Sequence, residues 1–148
     1  MIDKYYKAVK TSRNYSADVF SLGSKFSINP QMEYHELLGS NFNFYYDDIA
    51  FHNVSRDYIS TFANLLEAFV NDFFDPARKY CVNECLILNL VTVDDKSALL
   101  CTISYLMEAR SKDILQEEIF LDKTEAFNIV QNIKHALTLS KIYTLRSV

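Results

Sequence analysis

The sequence predicts an α+β domain in which antiparallel, meander-like sheets carry two main amphipathic helices on one side. Two stretches with apolar residues at helical spacing predict the helices, and several short stretches of alternating apolar and polar residues predict the strands. A chain of 148 residues is long enough for one sizeable core, so we expect a single domain over residues 1–148. With only two glycines and two prolines, glycine-rich phosphate loops and low-complexity segments are not expected.

The first helix is predicted over residues 56–74. Ser55 is a suitable N-cap, and Asp57 lies in the first turn, near the positive end of the helix dipole. Asp75 and Pro76 are expected to end the helix, because a proline disfavours helical backbone in the residue before it. The core-facing positions are Ile59, Phe62, Ala63, Leu66, Phe69 and Val70.

The second helix is predicted over residues 124–139. Asp122 is its N-cap, and Glu125, three residues later, completes a capping box. Its core-facing positions are Ala126, Ile129, Val130, Ile133, Ala136 and Leu137. Counted from their caps, the two stripes match position for position, which favours two β-meander-α pseudo-repeats over residues 18–75 and 85–139. The alternative is that any two well-capped amphipathic helices would align in this way.

The strands are predicted from alternation and turn residues. Residues 18–30 predict two short strands around Gly23 and Ser24, residues 33–38 another, and residues 41–46 a strand with Phe42, Phe44 and Tyr46 on one face. Strands are also predicted over residues 85–93 and 114–121. Residues 98–109 could follow a Ser97 cap as a helix, but their alternation favours a strand. Residues 3–11 predict a short helix, and residues 142–145 an edge strand or a docked tail.

Charge and cysteine content restrict the environment and the partners. The net charge is −4, which disfavours general nucleic-acid binding and suits a basic protein partner or simple solubility. An odd number of cysteines, with neither a signal-peptide pattern nor a long apolar run, predicts a cytoplasmic protein without a membrane segment.

No pattern predicts catalysis, a metal or a cofactor. There is no GxSxG elbow, and no cysteine has a neighbouring base. Cys81 and Cys85 do not have the paired short spacings of a zinc site, and His35, His52 and His135 are isolated from one another. We therefore expect a protein that is not an enzyme and has neither metal nor cofactor.

Three acidic doublets stand out at predicted turns or strand starts, and Tyr45 is predicted to point outward beside the first of them. Together they predict an acidic surface for a basic protein, although solvated turn residues are the simpler interpretation of any one doublet. The aromatic run over residues 42–51 lacks the interleaved Lys and Arg of a nucleic-acid stacking platform. The predicted partner-binding residues are Tyr45, Asp47, Asp48, Asp94, Asp95, Glu117 and Glu118.

In its size, its acidity, its richness in Tyr and Phe and its lack of catalytic motifs, the chain resembles small bacterial toxin-immunity proteins, including those of contact-dependent growth inhibition systems. The resemblance implies a protein that binds a cognate toxin, typically a basic nuclease, and occludes its active site. The predicted element order resembles the Whirly arrangement, which implies a single-stranded nucleic-acid-binding module as the alternative. An enzyme or ligand binder with a pocket between sheet and helices is a third hypothesis.

Overall fold

The computed structural model of the protein describes residues 8–11, 20–30 and 42–146. Within them the chain forms nine strands and two helices. The strands are β1 (Ala8–Lys10), β2 (Phe20–Gly23), β3 (Phe26–Pro30), β4 (Phe42–Tyr46), β5 (Ile49–Val54), β6 (Lys79–Asn83), β7 (Leu86–Val93), β8 (Lys96–Leu106) and β9 (Ile114–Leu121). The helices are α1 (Arg56–Val70) and α2 (Lys123–Arg146).

All nine strands belong to one large, curled, mixed sheet in the order β2-β3-β4-β5-β1-β8-β7-β6, with β9 paired to β8. Strands β2 to β5 form a first antiparallel meander and strands β6 to β9 a second. The short strand β1 joins them, because it pairs antiparallel with β5 and parallel with β8 through Val9 and Leu106. One helix follows each meander, so the α+β class is confirmed.

Helix α1 begins at the predicted residue and ends earlier than predicted. The Ser55 side chain accepts a hydrogen bond from the Tyr58 backbone N–H at 3.1 Å, as its N-cap role requires. The helix stops at Val70 because Asp72 adopts a left-handed conformation with φ of 62° and the Phe73 N–H bonds back to the Ala68 carbonyl at 2.8 Å. Five of its six predicted core positions are buried: Ile59, Phe62, Ala63, Leu66 and Phe69.

Helix α2 begins with the predicted capping box and continues past the predicted end. The Glu125 N–H donates to Asp122 Oδ1 at 2.8 Å, and the Asp122 N–H donates to Glu125 Oε1 at 3.2 Å. The edge strand considered for residues 142–145 does not form, since the helix runs to Arg146. No glycine or proline interrupts the sequence there. Five of its six predicted core positions are buried, namely Ala126, Ile129, Val130, Ile133 and Ala136, and Leu137 is half-buried.

The two helices pack against each other in antiparallel orientation. The contacts that join them pair Arg56 Nη2 with the Leu137 carbonyl at 2.8 Å, Lys134 with Glu67 at 3.2 Å, and Lys123 with Asp72. Helix α2 also crosses to the first meander, where Asn132 Nδ2 donates to the Leu22 carbonyl at 2.9 Å and Ser24 Oγ donates to Glu125 Oε2 at 2.8 Å. The helix that follows the second meander therefore covers edge strand β2 of the first.

Aromatic side chains fill the core between the first meander and α1. Phe26 and Phe44 stack with ring centroids 5.6 Å apart, and each ring lies 5.4 Å from that of Phe62 on α1. Tyr46 lies on the same side of β4 as Phe44, with its ring 5.0 Å from that of Phe26. The predicted face of β4 is therefore the one that meets the helix.

Long-range pairing decides the elements that the sequence pattern predicted wrongly or not at all. Residues 8–10, predicted as part of a helix over 3–11, are strand β1 instead, because both β5 and β8 pair with them. Strand β6 was not predicted; it forms against β7. Residues 98–106 are strand rather than helix, as favoured. The strand predicted over residues 33–38 lies outside the described residues.

Candidate interaction surface on the second meander

The first acidic doublet forms the two-residue turn between β4 and β5. Asp47 has φ of 51°, which aspartate tolerates better than most residues, and its N–H donates to the Lys25 carbonyl at 2.8 Å. Asp48 is half-buried and forms an ion pair with Lys10 at 3.7 Å. One of the two charges therefore already has a cationic partner within the chain.

Tyr45 does not point outward, so that prediction was wrong. Its side chain is 1% exposed, and Ser27, Asn43 and Ala50 on the same side of the sheet are buried as well. Both faces of β4 are therefore buried, and alternation along the strand does not identify a solvent face. Tyr45 cannot act as a surface anchor in this structure.

The third doublet, Glu117 and Glu118, was predicted at the start of a strand. It lies instead in the middle of β9. Glu117 is opposite Ile103 and is half-buried on the helix-facing side of the sheet, whereas Glu118 is opposite Thr102 and is exposed on the other side. The pKa of Tyr46 is raised by burial and, less strongly, by the negative charges of Glu117 and Asp47. Glu117 and Glu118 therefore lie on opposite faces of the sheet.

The second doublet, Asp94 and Asp95, forms the exposed turn between β7 and β8. Both have positive φ, 51° and 63°, as a type I′ hairpin turn requires. This turn lies at the first end of β8, before Lys96. Leu106 lies at the other end of β8 and pairs with β1, which in turn leads to Asp48. Ten steps along a strand correspond to about 30 Å, so the three doublets do not form one acidic surface.

The helices pack on one face of the second meander. Most side chains on its opposite face are exposed or half-buried, whereas Ala98, Ser104 and Leu106 of β8 are buried there. On the helix side, β8 contributes Leu99, Cys101 and Ile103 to the core. The opposite side carries apolar residues on three neighbouring strands, with Leu100 directly beside Phe120. We call these residues the outer strip: Ile87, Val91, Val93, Leu100 and Phe120.

The outer strip is half-buried at Ile87, Val91 and Leu100 and exposed at Val93 and Phe120, and acidic residues lie at both of its ends. Phe120 is 53% exposed and Val93 39% exposed. Glu118 lies at one end, and the Asp94–Asp95 turn lies at the other, about 24 Å away along β8. At roughly 10 Å wide, the strip covers a few hundred Å², which is enough for the centre of a protein interface but not for all of it.

Other chemistry is sparse in the part of the chain that the structure describes. No group of three or more His, Cys, Asp or Glu residues there could hold a metal ion. Cys85 and Cys101 are buried, and burial raises the pKa of the Cys101 thiol, whereas Cys81 is exposed on the outer side of β6. Neither helix is both long and apolar enough, over the described residues, to cross a bilayer.

Of the seven predicted partner-binding residues, the structure brings Glu118, Asp94 and Asp95 to a common face. The apolar residues between them were missed, because a near-continuous apolar strand predicts burial on both sides. Comparisons of the chain with protein-family models, with curated proteins and with solved structures found no match. A proposal for the function therefore depends on the outer strip and the acidic residues around it.

Proposed function

We propose that the protein is an immunity protein, which binds a basic, nuclease-type bacterial toxin in the cytoplasm and blocks its active site. The observation that supports this most is the outer strip with acidic residues at both ends. An apolar centre with a charged rim is the usual arrangement of a protein-binding surface. Inhibition by occlusion requires no catalytic group on the inhibitor.

Charge favours a basic partner over a neutral one. The chain has a net charge of −4. At the rim of the strip, Glu118, Asp94 and Asp95 contribute three negative charges and Lys96, opposite Val93, contributes one positive charge. A nuclease must carry a positive cleft to hold phosphates, and that cleft would attract this rim. Rim charges mainly raise the association rate, whereas the apolar centre sets how slowly the complex dissociates.

The direct test is binding between the purified protein and a toxin encoded beside it. Calorimetry is expected to give a one-to-one complex, and expression of the protein is expected to protect cells from that toxin. Neutralising the rim with Glu118→Gln, Asp94→Asn and Asp95→Asn together should weaken binding about tenfold to thirtyfold, mainly through a slower association rate.

The matched control neutralises three exposed carboxylates away from the strip, with Asp47→Asn, Glu108→Gln and Asp113→Asn. It changes the net charge by the same amount, and it includes a turn aspartate with positive φ, as the rim variant does. We expect it to bind within about threefold of the wild type. Equal weakening by both variants would mean that only net charge matters and would remove the strip from the proposal.

A second candidate is a single-stranded nucleic-acid-binding module of Whirly-like form. The observation that favours it is the order of elements: four strands and a helix, β2 to α1, followed by four strands and a helix, β6 to α2. Against it, the outer strip presents one exposed aromatic residue, Phe120, and the lysines of its strands, Lys79 and Lys96, are few for a phosphate-binding face. Salt-sensitive binding of a labelled single strand would support this candidate, and no binding at low salt would exclude it.

A further inference from the structure

Strand β9 has an open edge. In the described part of the chain it pairs with β8 alone, whereas edge strand β2 lies under α2. Its residues are also accessible at both ends: Ile114 is 42%, Leu115 38% and Phe120 53% exposed. A long, exposed edge strand with apolar side chains is the kind of strand that adds a further strand from another chain.

The register shows which backbone groups of β9 are available. Because Asp94–Asp95 is a two-residue hairpin turn, Val93 and Lys96 form a hydrogen-bonded pair, and such pairs recur at every second residue. The backbone groups of Leu100 and Thr102 therefore point toward β7, and those of Cys101 and Ile103 point toward β9. The Ser104 N–H bond to the Cys85 carbonyl, at 2.9 Å, agrees with this alternation.

The same alternation continues across β8 to β9. Ile119 and Glu117 lie opposite Cys101 and Ile103, so their N–H and C=O groups are used by β8. The N–H and C=O groups of Gln116, Glu118 and Phe120 point away from the sheet. These three residues also carry the outward-facing side chains of β9, so backbone and side-chain recognition would coincide there.

We infer that the toxin docks by adding an extended strand antiparallel to the free edge of β9, and that this strand carries two adjacent basic residues flanked by apolar ones. The inference deepens the proposed function and rests on it. Main-chain hydrogen bonds to Gln116, Glu118 and Phe120 would supply affinity, and side chains on alternate faces would supply specificity. The part of the toxin next to the added strand would cover the outer strip.

The negative charges of Glu117 and Glu118 favour a basic strand at this edge. Glu117 and Glu118 are adjacent, so an incoming strand meets a carboxylate on each face of the sheet and needs a basic residue on each face to match them. Glu117 is half-buried and forms no ion pair with another described residue, which leaves a position for a cation from the partner. The apolar neighbours Leu115 and Phe120 require apolar residues on both sides of the basic pair.

A second copy of the chain is the less suitable occupant. Antiparallel pairing of two β9 strands about their centre would place the glutamates of one copy opposite those of the other. Like charges directly opposite each other destabilise a strand pair. Glu117 and Glu118 therefore disfavour self-pairing and favour a basic partner at the same edge.

The test compares two substitutions at one position. Gln116→Pro removes an outward N–H and places a ring at the edge, without removing a bond to β8, and proline is tolerated at such edge positions. Gln116→Ala removes the same side chain and keeps the N–H. We expect Gln116→Pro to weaken toxin binding at least tenfold relative to Gln116→Ala, with both variants folded by circular dichroism.

Hydrogen exchange of the wild-type protein gives an independent readout. In the free protein the amides of Gln116, Glu118 and Phe120 should exchange quickly and those of Glu117 and Ile119 slowly; the toxin should protect the first three. If the toxin binds while those three amides stay unprotected and the two variants bind equally, the edge inference is overturned and the proposed function stands.

A peptide probe tests the edge without the toxin. The probe is a capped peptide of about ten residues with Lys-Arg at its centre, flanked by alternating Val and Thr, and its control carries Glu-Glu instead. Protection of Gln116, Glu118 and Phe120 by the first peptide alone supports the edge, and no binding at millimolar peptide overturns it. If the peptide binds and the co-encoded toxin does not, the proposed function fails while the edge remains a strand-binding site.

Discussion

Replacing Phe120 with alanine tests whether the outer strip is the centre of the partner interface. A phenylalanine side chain presents about 200 Å² of surface, and 53% of Phe120 is exposed in the free protein, so a partner can bury about 100 Å² more of it. At about 25 cal/mol per Å² this contributes about 2.5 kcal/mol, of which an alanine would retain only a small part. We expect Phe120→Ala to raise Kd about thirtyfold, since 1.4 kcal/mol corresponds to a factor of ten.

The assay is calorimetry or surface-based kinetics with the co-encoded toxin, and thermal melting verifies that each variant is folded at the temperature used. Phe73→Ala is the matched control, because Phe73 is 79% exposed but follows the end of α1, outside the outer strip. It should change Kd by less than twofold. A Phe120→Ala complex within threefold of the wild type, or a larger loss from Phe73→Ala, would refute the assignment of the strip.

Three further predictions concern the folded protein itself. Phe62→Ala should lower the free energy of unfolding by about 4 kcal/mol in urea denaturation, because the ring is fully buried and lies 5.4 Å from two other phenylalanine rings; a loss below about 1.5 kcal/mol would contradict this packing. A thiol reagent should modify Cys81 quickly and reach Cys85 and Cys101 only after unfolding, because both are buried; a second fast thiol in the native protein would be inconsistent with that burial. Burial, with a smaller effect of Cys85, raises the pKa of Tyr58 well above 10, so its contribution to stability is complete below pH 10 and is lost as pH rises further. Between pH 8 and pH 11, Tyr58→Phe should therefore lose less stability than the wild type, and identical pH dependence would count against the buried phenol.

The predictions that depended on a few neighbouring residues agree best with the structure. The Ser55 cap, the Asp122–Glu125 capping box and the two apolar stripes are set within one or two helical turns, so local pattern predicts them. The Asp94–Asp95 turn is equally local. The early end of α1 was missed, because the left-handed conformation of Asp72 acts before Pro76 is reached.

The candidate site could be predicted only in part. Its acidic residues Glu118, Asp94 and Asp95 were expected at a partner surface, and the structure places them around one face. The prediction that Tyr45 faces outward was wrong, because the face of β4 on which it lies is buried as well. Which side of a strand meets solvent depends on what packs against the sheet, and alternation alone does not contain that information.

The amino-acid sequence by itself determined the α+β class, the two capped helices with their core stripes, the turns at Gly23–Ser24 and Asp94–Asp95, and the acidic character of the chain. Each of these depends on residues close together in the sequence or on total composition. Only the tertiary structure decided that β1 joins the two meanders, that α2 covers edge strand β2 of the first, and that β9 pairs with β8 alone among the described strands. Those features depend on contacts between residues up to 110 positions apart, whose formation is governed by the packing of the whole sheet rather than by any local pattern.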